Sequence, residues 1–244
     1  AQYAPNLFSY IKINVDKSDK NGMYWLTGSQ QFHLMKNVSE SLAGRVGIVN
    51  LNSFTYSEIV RNTNKLLFNP TNLVKADKID INSLFEIIYK GGMPELYKNE
   101  KISREIYFQG YIDTYISRDV RELTEVGNVD AFKKFIVSIA SRTGEQLNYT
   151  ALANDAGISV PTAKSWVSIL TSSGLVYLLE PYMSSELKRI THVPKIIFMD
   201  TGLASYLAGW ESAKELQLSS NAGHYLETYV ISEIVKSYNS RGIR

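Results

Sequence analysis

The residues able to do chemistry fall into three groups. Thr27 and Ser29 follow directly on the apolar run Met23-Tyr-Trp-Leu26. Their hydroxyls would stand where a strand ends and a helix begins, the place where ligands sit in α/β proteins. An ordinary strand-to-helix turn explains the same residues without a ligand. Asp200 closes a second apolar run, from Pro194 to Met199, and opens an Asp-Thr-Gly turn. A carboxylate there can act in catalysis, but an Asx turn capping the next helix is the stronger reading. The third group is cationic: Lys164, Lys188, Arg189, His192 and Lys195, groups of the kind that contact phosphate. Glu227 and Glu233 share one helical stretch but stand six apart on different faces, so the two alone make no shared metal site.

These groups hang on elements that the sequence marks clearly. From Asn148 to Leu179 it reads helix, tight turn, helix, strand. Asn148 can cap the first helix, and Gly157 can end it in the left-handed conformation. Ser159 can cap the second, and Pro161 falls in its first turn, where a missing N–H costs nothing. Ala163, Val167 and Leu170 follow at helical spacing and face inward. Gly174 ends the helix, and Leu175 to Leu179 is an apolar strand. This is the layout of a winged helix-turn-helix, with Lys188, Arg189, His192 and Lys195 on the hairpin that forms the wing.

Such a unit reads DNA through basic and amide side chains on its second helix. Here that helix offers Thr162, Lys164, Ser165 and Ser168, of which only Lys164 is basic. Between Asn148 and Asp200 the cations are matched in number by Asp155, Glu180, Glu186 and Asp200. A packing or protein-contact module is therefore as good a reading as a DNA reader.

The remaining segments are simpler. Pro5 opens a helix with Leu7, Phe8, Ile11 and Val15 on one stripe. Met23 to Leu26 and Val46 to Leu51 read as strands, with a helix through Phe32, Leu34 and Met35 between them. Thr55 with Glu58 makes a capping box. The polar stretch from Asn62 to Asp80 reads as a surface insertion. Asn82 to Tyr89 is helical, and Lys90-Gly-Gly-Met-Pro-Glu95 breaks it sharply. Arg104 to Val126 is a long amphipathic helix with a bend expected near Gly110. Val129 to Ala140 is another, with Phe132, Phe135, Ile136 and Ile139 inward; both would pack on the helix-turn-helix and complete its core.

Composition sets limits. The chain of 244 residues is 44% hydrophobic and 20% charged, with net charge +2, so no strong field points to nucleic acid or a lipid surface. Cysteine is absent, which removes disulfides, thiolate metal sites and a cysteine nucleophile, and fits a reducing cytoplasm. No membrane span and no signal peptide are visible.

Several stretches together resemble a family of bacterial and archaeal ATPases of the AAA+ superfamily. In that family the ATPase core is followed by a domain of unknown function, often with a nuclease-like fold at the end. The matching pieces are Trp25-Leu-Thr-Gly-Ser-Gln30, Ser41-Leu-Ala-Gly-Arg45, Gly91-Gly-Met-Pro-Glu95, Tyr115-Ile-Ser-Arg-Asp-Val120, Asn148 to Leu170, Phe198-Met-Asp-Thr-Gly-Leu203 and Leu226-Glu-Thr-Tyr-Val-Ile231. They span nearly the whole chain in the family's order. The resemblance implies an α/β fold that becomes mainly α. Residues 1–62 would be the C-terminal part of the ATPase core and 63–100 a connecting region. Residues 101–203 would be helices plus the winged unit, and 204–244 the start of a nuclease-like region.

One departure matters. The family holds ATP with Gly-x-x-x-x-Gly-Lys-Ser/Thr, and this sequence lacks it. Lys17-Ser18, Lys164-Ser165 and Lys236-Ser237 are not preceded by the required glycines. Ala1-Gln2 resembles the tail of the family's magnesium-binding acidic motif, and Arg244 stands where nuclease-like strands would start. The expectation is an internal piece of a longer protein that uses ATP and magnesium, with no cofactor for this chain alone.

The resemblance gives Thr27 and Ser29 the role of orienting the attacking water, and Arg45 that of stabilising charge on a phosphate. Arg118 is a weaker candidate for the latter. Glu227 matches a glutamate that precedes a nuclease-like site. Lys164, Lys188, Arg189 and Lys195 are the candidates for duplex DNA. The alternative functions are a non-enzymatic DNA-binding regulator and an interaction module whose partner is another copy of the chain.

Overall fold

Short polar side chains set the helix starts. In the computed structural model, which describes residues 6–18, 20–27, 42–47, 49–61, 78–99, 101–115, 128–182 and 192–240, caps recur along the chain. Asn128, Asn148 and Ser159 each accept a hydrogen bond from the backbone N–H three residues on. Asp80 accepts two, from Asn82 and Ser83. Thr55 and Glu58 form the expected reciprocal box. Each cap satisfies a donor that the first helical turn leaves open.

The described elements run α1 (Asn6–Asp16), α2 (Tyr56–Ile59), α3 (Ile81–Lys90), α4 (Glu95–Lys98), α5 (Arg104–Tyr115), α6 (Val129–Ser141), α7 (Tyr149–Ala156), α8 (Val160–Ser172), β1 (Val176–Leu179), β2 (Lys195–Phe198), α9 (Thr201–Leu207), α10 (Ala213–Leu218) and α11 (Ala222–Asn239). Among the described residues the structure is mostly helical, with one small sheet of β1 and β2. The two strands pair antiparallel from Val176 opposite Phe198 to Leu179 opposite Lys195. The segment after α6 adds to the far side of β2: Gly144 N–H donates to Ile196 O at 2.8 Å, Ile196 N–H to Glu145 O at 2.9 Å and Leu147 N–H to Pro194 O at 2.9 Å. The sequence reading missed this third piece, because it is too short to show a period.

The main core is built around α6, which packs on α7 and α9. Phe132, Phe135, Ile136 and Ile139 are all buried, as their spacing requires. Trp166 of α8 stands edge-on to Phe132 and Phe135, with ring centroids 5.0 and 5.2 Å away. Ala163, Val167 and Leu170 complete the inward stripe of α8. Gly157 closes α7 at φ 67°, and its N–H returns to the last turn of α7. Arg142 of the α6 C-terminus pairs with Asp155 of α7 at 2.6 Å, and Ser138 donates to the same carboxylate. α3, α5 and α11 pack on α9, while α10 packs on α3.

The first sixty residues behave differently. Phe8 and Ile11 of α1 join Leu42 in a separate small cluster, with Val15 and Leu26 against it. Leu7, expected on the same stripe, is 43% exposed. The strands expected at Met23 to Leu26 and Val46 to Leu51 are not strands among the described residues. Trp25 is 89% exposed and Leu51 93%. A strand exists only by pairing, and no neighbouring strand lies beside either stretch among the described residues. The helix expected through Phe32, Leu34 and Met35, most of the insertion, and residues 116–127 of the long helix lie outside the described residues. Among those described, no helix is long and apolar enough to cross a membrane.

Candidate functional site

Two motifs far apart in sequence meet at Asp200. Its backbone follows β2 and caps α9, with Oδ1 accepting from Leu203 N–H at 2.9 Å. Oδ2 accepts from Gly92 N–H at 2.9 Å. Asp200 is therefore a cap, as the sequence favoured, but one that also holds the Gly-Gly turn after α3. The approach is very close. A Cβ on Gly202 would lie 2.3 Å from the carbonyl oxygen of Lys90, and Gly91 itself sits at φ +75°. Gly92 O in turn accepts from Phe54 N–H at 2.7 Å. The chain around residue 54 is thus bonded to the Gly-Gly turn, and that turn to Asp200.

A buried cation braces the same junction. Arg104, at the start of α5, donates from Nε to Tyr89 O at 3.0 Å and from Nη2 to Gly202 O at 3.1 Å and Ser205 Oγ at 2.6 Å. Its guanidinium lies 3.8 Å from the Tyr89 ring centroid. Burial lowers its pKa from the ordinary value, and the nearby Tyr89 and acidic groups oppose this. Tyr97 donates to Gly91 O at 2.6 Å. On the other side stands α11. Glu233 accepts from Tyr56 N–H at 2.7 Å, at the first turn of α2. Burial raises the Glu233 pKa, while the Tyr56 bond and Lys236 act against that rise. Lys236, one turn further on, is only 4% exposed.

Between these groups lies a cavity of about 230 Å³, lined by Asn52, Ser53, Met93, Asp200 and Lys236 among others. The Asn52 side-chain nitrogen is itself buried, with no partner among the described residues. The sequence reading did not single out Asn52 or Arg104, and met Lys236 only as a dipeptide without a glycine loop. Gly91-Gly92 and Asp200-Thr201-Gly202 were both read as turns, and nothing in a single sequence says that two turns touch.

The other candidates are scattered. Thr27 is exposed and belongs to no helix or strand. Arg45 donates to Asp16 from Nε at 2.5 Å and from Nη1 to Ala43 O at 3.1 Å. Leu26 and Leu42 pack on one cluster, so the segments bearing Thr27 and Arg45 share an anchor. Lys164 is exposed on α8, its ammonium 5.6 Å from the Tyr149 ring centroid. Lys195 and Glu227, assigned to different roles, are paired at 2.6 and 2.8 Å. Ser29, Arg118, Lys188 and Arg189 lie outside the described residues.

With this geometry in place, the comparisons define a class. Residues 1–60 match the family model of an AAA domain, which supports an AAA-type ATPase-like domain. Residues 81–214 match the model of a domain of unknown function (DUF8612), and the chain belongs to that family. The uncharacterized proteins Rv2008c of Mycobacterium tuberculosis and Mb2031c of Mycobacterium bovis are each 26% identical over 237 residues, covering 96% of this chain and 49% of theirs. The chain thus spans about half the length of the curated relatives it matches. No solved structure matches.

An AAA domain implies ATP with magnesium. The residues present here do not fit that group by themselves. The sequence holds no glycine-lysine phosphate loop, and the Arg45 guanidinium is engaged by Asp16 and Ala43. No group of three or more acidic or imidazole side chains among the described residues could hold a metal ion.

Proposed function

We propose that this chain is part of an ATP-hydrolysing AAA-type protein, in which it supplies the rear of the ATPase core and a helical unit coupled to it. The observation that carries this is the AAA-domain match over residues 1–60, followed in the chain by a second domain at 81–214. That second domain is bonded to the first through Phe54–Gly92, and α11, beyond the matched residues, is bonded to the first through Tyr56–Glu233. Thr27, Ser29 and Arg45 are the residues through which the rear of the core would reach a terminal phosphate, Arg45 by exchanging Asp16 for it. The test is ATP turnover. The full-length protein should hydrolyse ATP, and Arg45→Ala should slow it by about tenfold or more. The 244-residue chain alone should not bind a labelled ATP analogue. An inert full-length protein overturns the ATPase reading; micromolar affinity of this chain for the analogue overturns the reading of its phosphate loop.

The α7–α8 pair followed by the β1–β2 hairpin, with residues 144–147 on its flank, supports a winged helix. Its use on duplex DNA rests on Lys164, Lys188 and Arg189, since Lys195 would have to give up Glu227. Salt-dependent binding lost in Lys188→Ala/Arg189→Ala supports that use; absence of binding at low salt removes it and leaves a protein-contact role, with another copy of the chain as one partner.

A further inference from the structure

We propose that residues 52–56 form a clasp that opens and lets the region before residue 62 reorient against the helical body while both keep their folds. The two regions share no core: neither apolar cluster among the described residues takes members from both. What joins them at this point is backbone and polar. Phe54 N–H donates to Gly92 O at 2.7 Å, and Tyr56 N–H to Glu233 Oε2 at 2.7 Å. The Phe54 ring adds a tilted contact with Tyr97, centroids 6.4 Å apart. Such hydrogen bonds are remade with water when they part, whereas parting a shared core would expose apolar surface. Regions joined without a large apolar interface move against one another by default.

The seat of the clasp is fixed and the strap on it is not. On the body side Asp200 holds Gly92 N–H, Tyr97 holds Gly91 O, and Arg104 ties Tyr89 to Gly202. On the strap side Val49 and Leu51 are exposed. Two cavities, each of about 230 Å³, are lined by residues 50–53 together with Gly174 and Met199 of the body. Packed interiors leave few such voids, so this stretch rests on the body without interlocking with it. Gly92 is where the clasp closes. The three atoms nearest to a Cβ there all belong to the Phe54 backbone, with its oxygen 2.3 Å away. A Cβ on Gly91 meets Asp200 and Gly202 instead. A methyl at 92 therefore wedges the clasp, and one at 91 the body. Opening is a hinge movement that pivots on a few backbone positions. No nucleotide is needed for it, so an inert full-length protein overturns the ATPase reading and leaves the clasp standing.

The test uses the 244-residue chain and amide hydrogen exchange, read at Phe54, Tyr56 and α6. In the parent chain the Phe54 and Tyr56 amides should exchange about tenfold or more faster than those of α6, through an opening short of global unfolding. Gly92→Ala should speed both by a further tenfold or so and leave α6 near the global limit. Glu233→Ala, on α11, should also speed Phe54, because the two bonds open together. Asn148→Ala, at a cap within the body, should leave Phe54 and Tyr56 unchanged. The chain holds no cysteine, so Lys12→Cys with Lys214→Cys, both at exposed positions, puts one spin label on each region. Their distance distribution should be broader in Gly92→Ala than in the parent. If Gly92→Ala does not fold, the parent chain and Glu233→Ala decide. Phe54 and Tyr56 amides as protected as α6 in the parent, loss of α6 protection together with theirs in Gly92→Ala, or an unchanged label distribution overturns the proposal.

Discussion

The region before residue 62 and the body from residue 78 onward are held together in unlike ways. The body has a continuous core in which Phe108, Phe132, Phe135 and Phe198 are fully buried. Among the described residues of the first region, Phe8, Ile11 and Leu42 are buried in its own cluster, while Trp25 and Leu51 face outward. Both regions carry strand-like and helix-like sequence. The difference is that the body's elements find partners within the described chain and the expected strands of the first region do not. Apolar pattern specifies a face; it does not supply what covers it.

The sharpest way to break this contrast is a pair of truncations. Phe135→Ala should cost about 3–5 kcal/mol, the usual penalty for emptying a well-packed aromatic site. Trp25→Ala, at a residue 89% exposed, should change stability by no more than about 0.5 kcal/mol. Denaturant midpoints measure both; a comparable loss at Trp25 would mean that the first region has a core of its own. Next comes the Asp200 junction. Gly202→Ala should destabilise by about 3 kcal/mol, since the added carbon meets backbone on Lys90 rather than a side chain that can move. An undamaged Gly202→Ala protein would show that α3 and α9 are not locked together.

Helix caps come third. Asn148→Ala should cost about 1 kcal/mol. Thr55→Ala, in a capping box on a four-residue helix of the first region, should cost less if that helix is held mainly by Glu233. Equal losses would argue that the two regions draw alike on their caps.

The smallest expected effect is a pH dependence. Burial holds the Glu233 carboxyl above its ordinary 4.5, so the folded protein binds this proton more tightly than the unfolded chain does. Stability from this group is present below 4.5 and is lost as pH rises through the raised value. Glu233→Gln keeps an oxygen for Tyr56 N–H and removes that loss. Its stability relative to the parent protein should therefore improve from acid to neutral pH. A constant difference would mean that Glu233 does not titrate differently on folding.

What was legible in the sequence follows the range of the interactions. Caps at Asn148, Ser159 and Thr55, the turn at Gly157 and the stripes of α6 and α8 are set by residues within a turn or two, and the structure carries all of them. Asp200 was read as a cap for the same reason. Its second bond, to Gly92, crosses more than a hundred residues and left no local mark. The cavity beside it was equally invisible: Asn52 looks like a polar residue after a strand, and Lys236 like a solvated helix lysine. Lys195 and Glu227 were given separate roles, and nothing local in the sequence shows that the two side chains pair. The strands expected at Met23 to Leu26 and Val46 to Leu51 followed β-like composition, which fixes a strand only where another strand adjoins it.

Amide hydrogen exchange read residue by residue tests the two-region account most directly. Slow exchange, near the global unfolding limit, is expected in α6, α8 and the β1–β2 pair, with rapid exchange at Tyr24 to Thr27 and Val49 to Leu51. Protection of those first-region amides equal to that of α6 would contradict it.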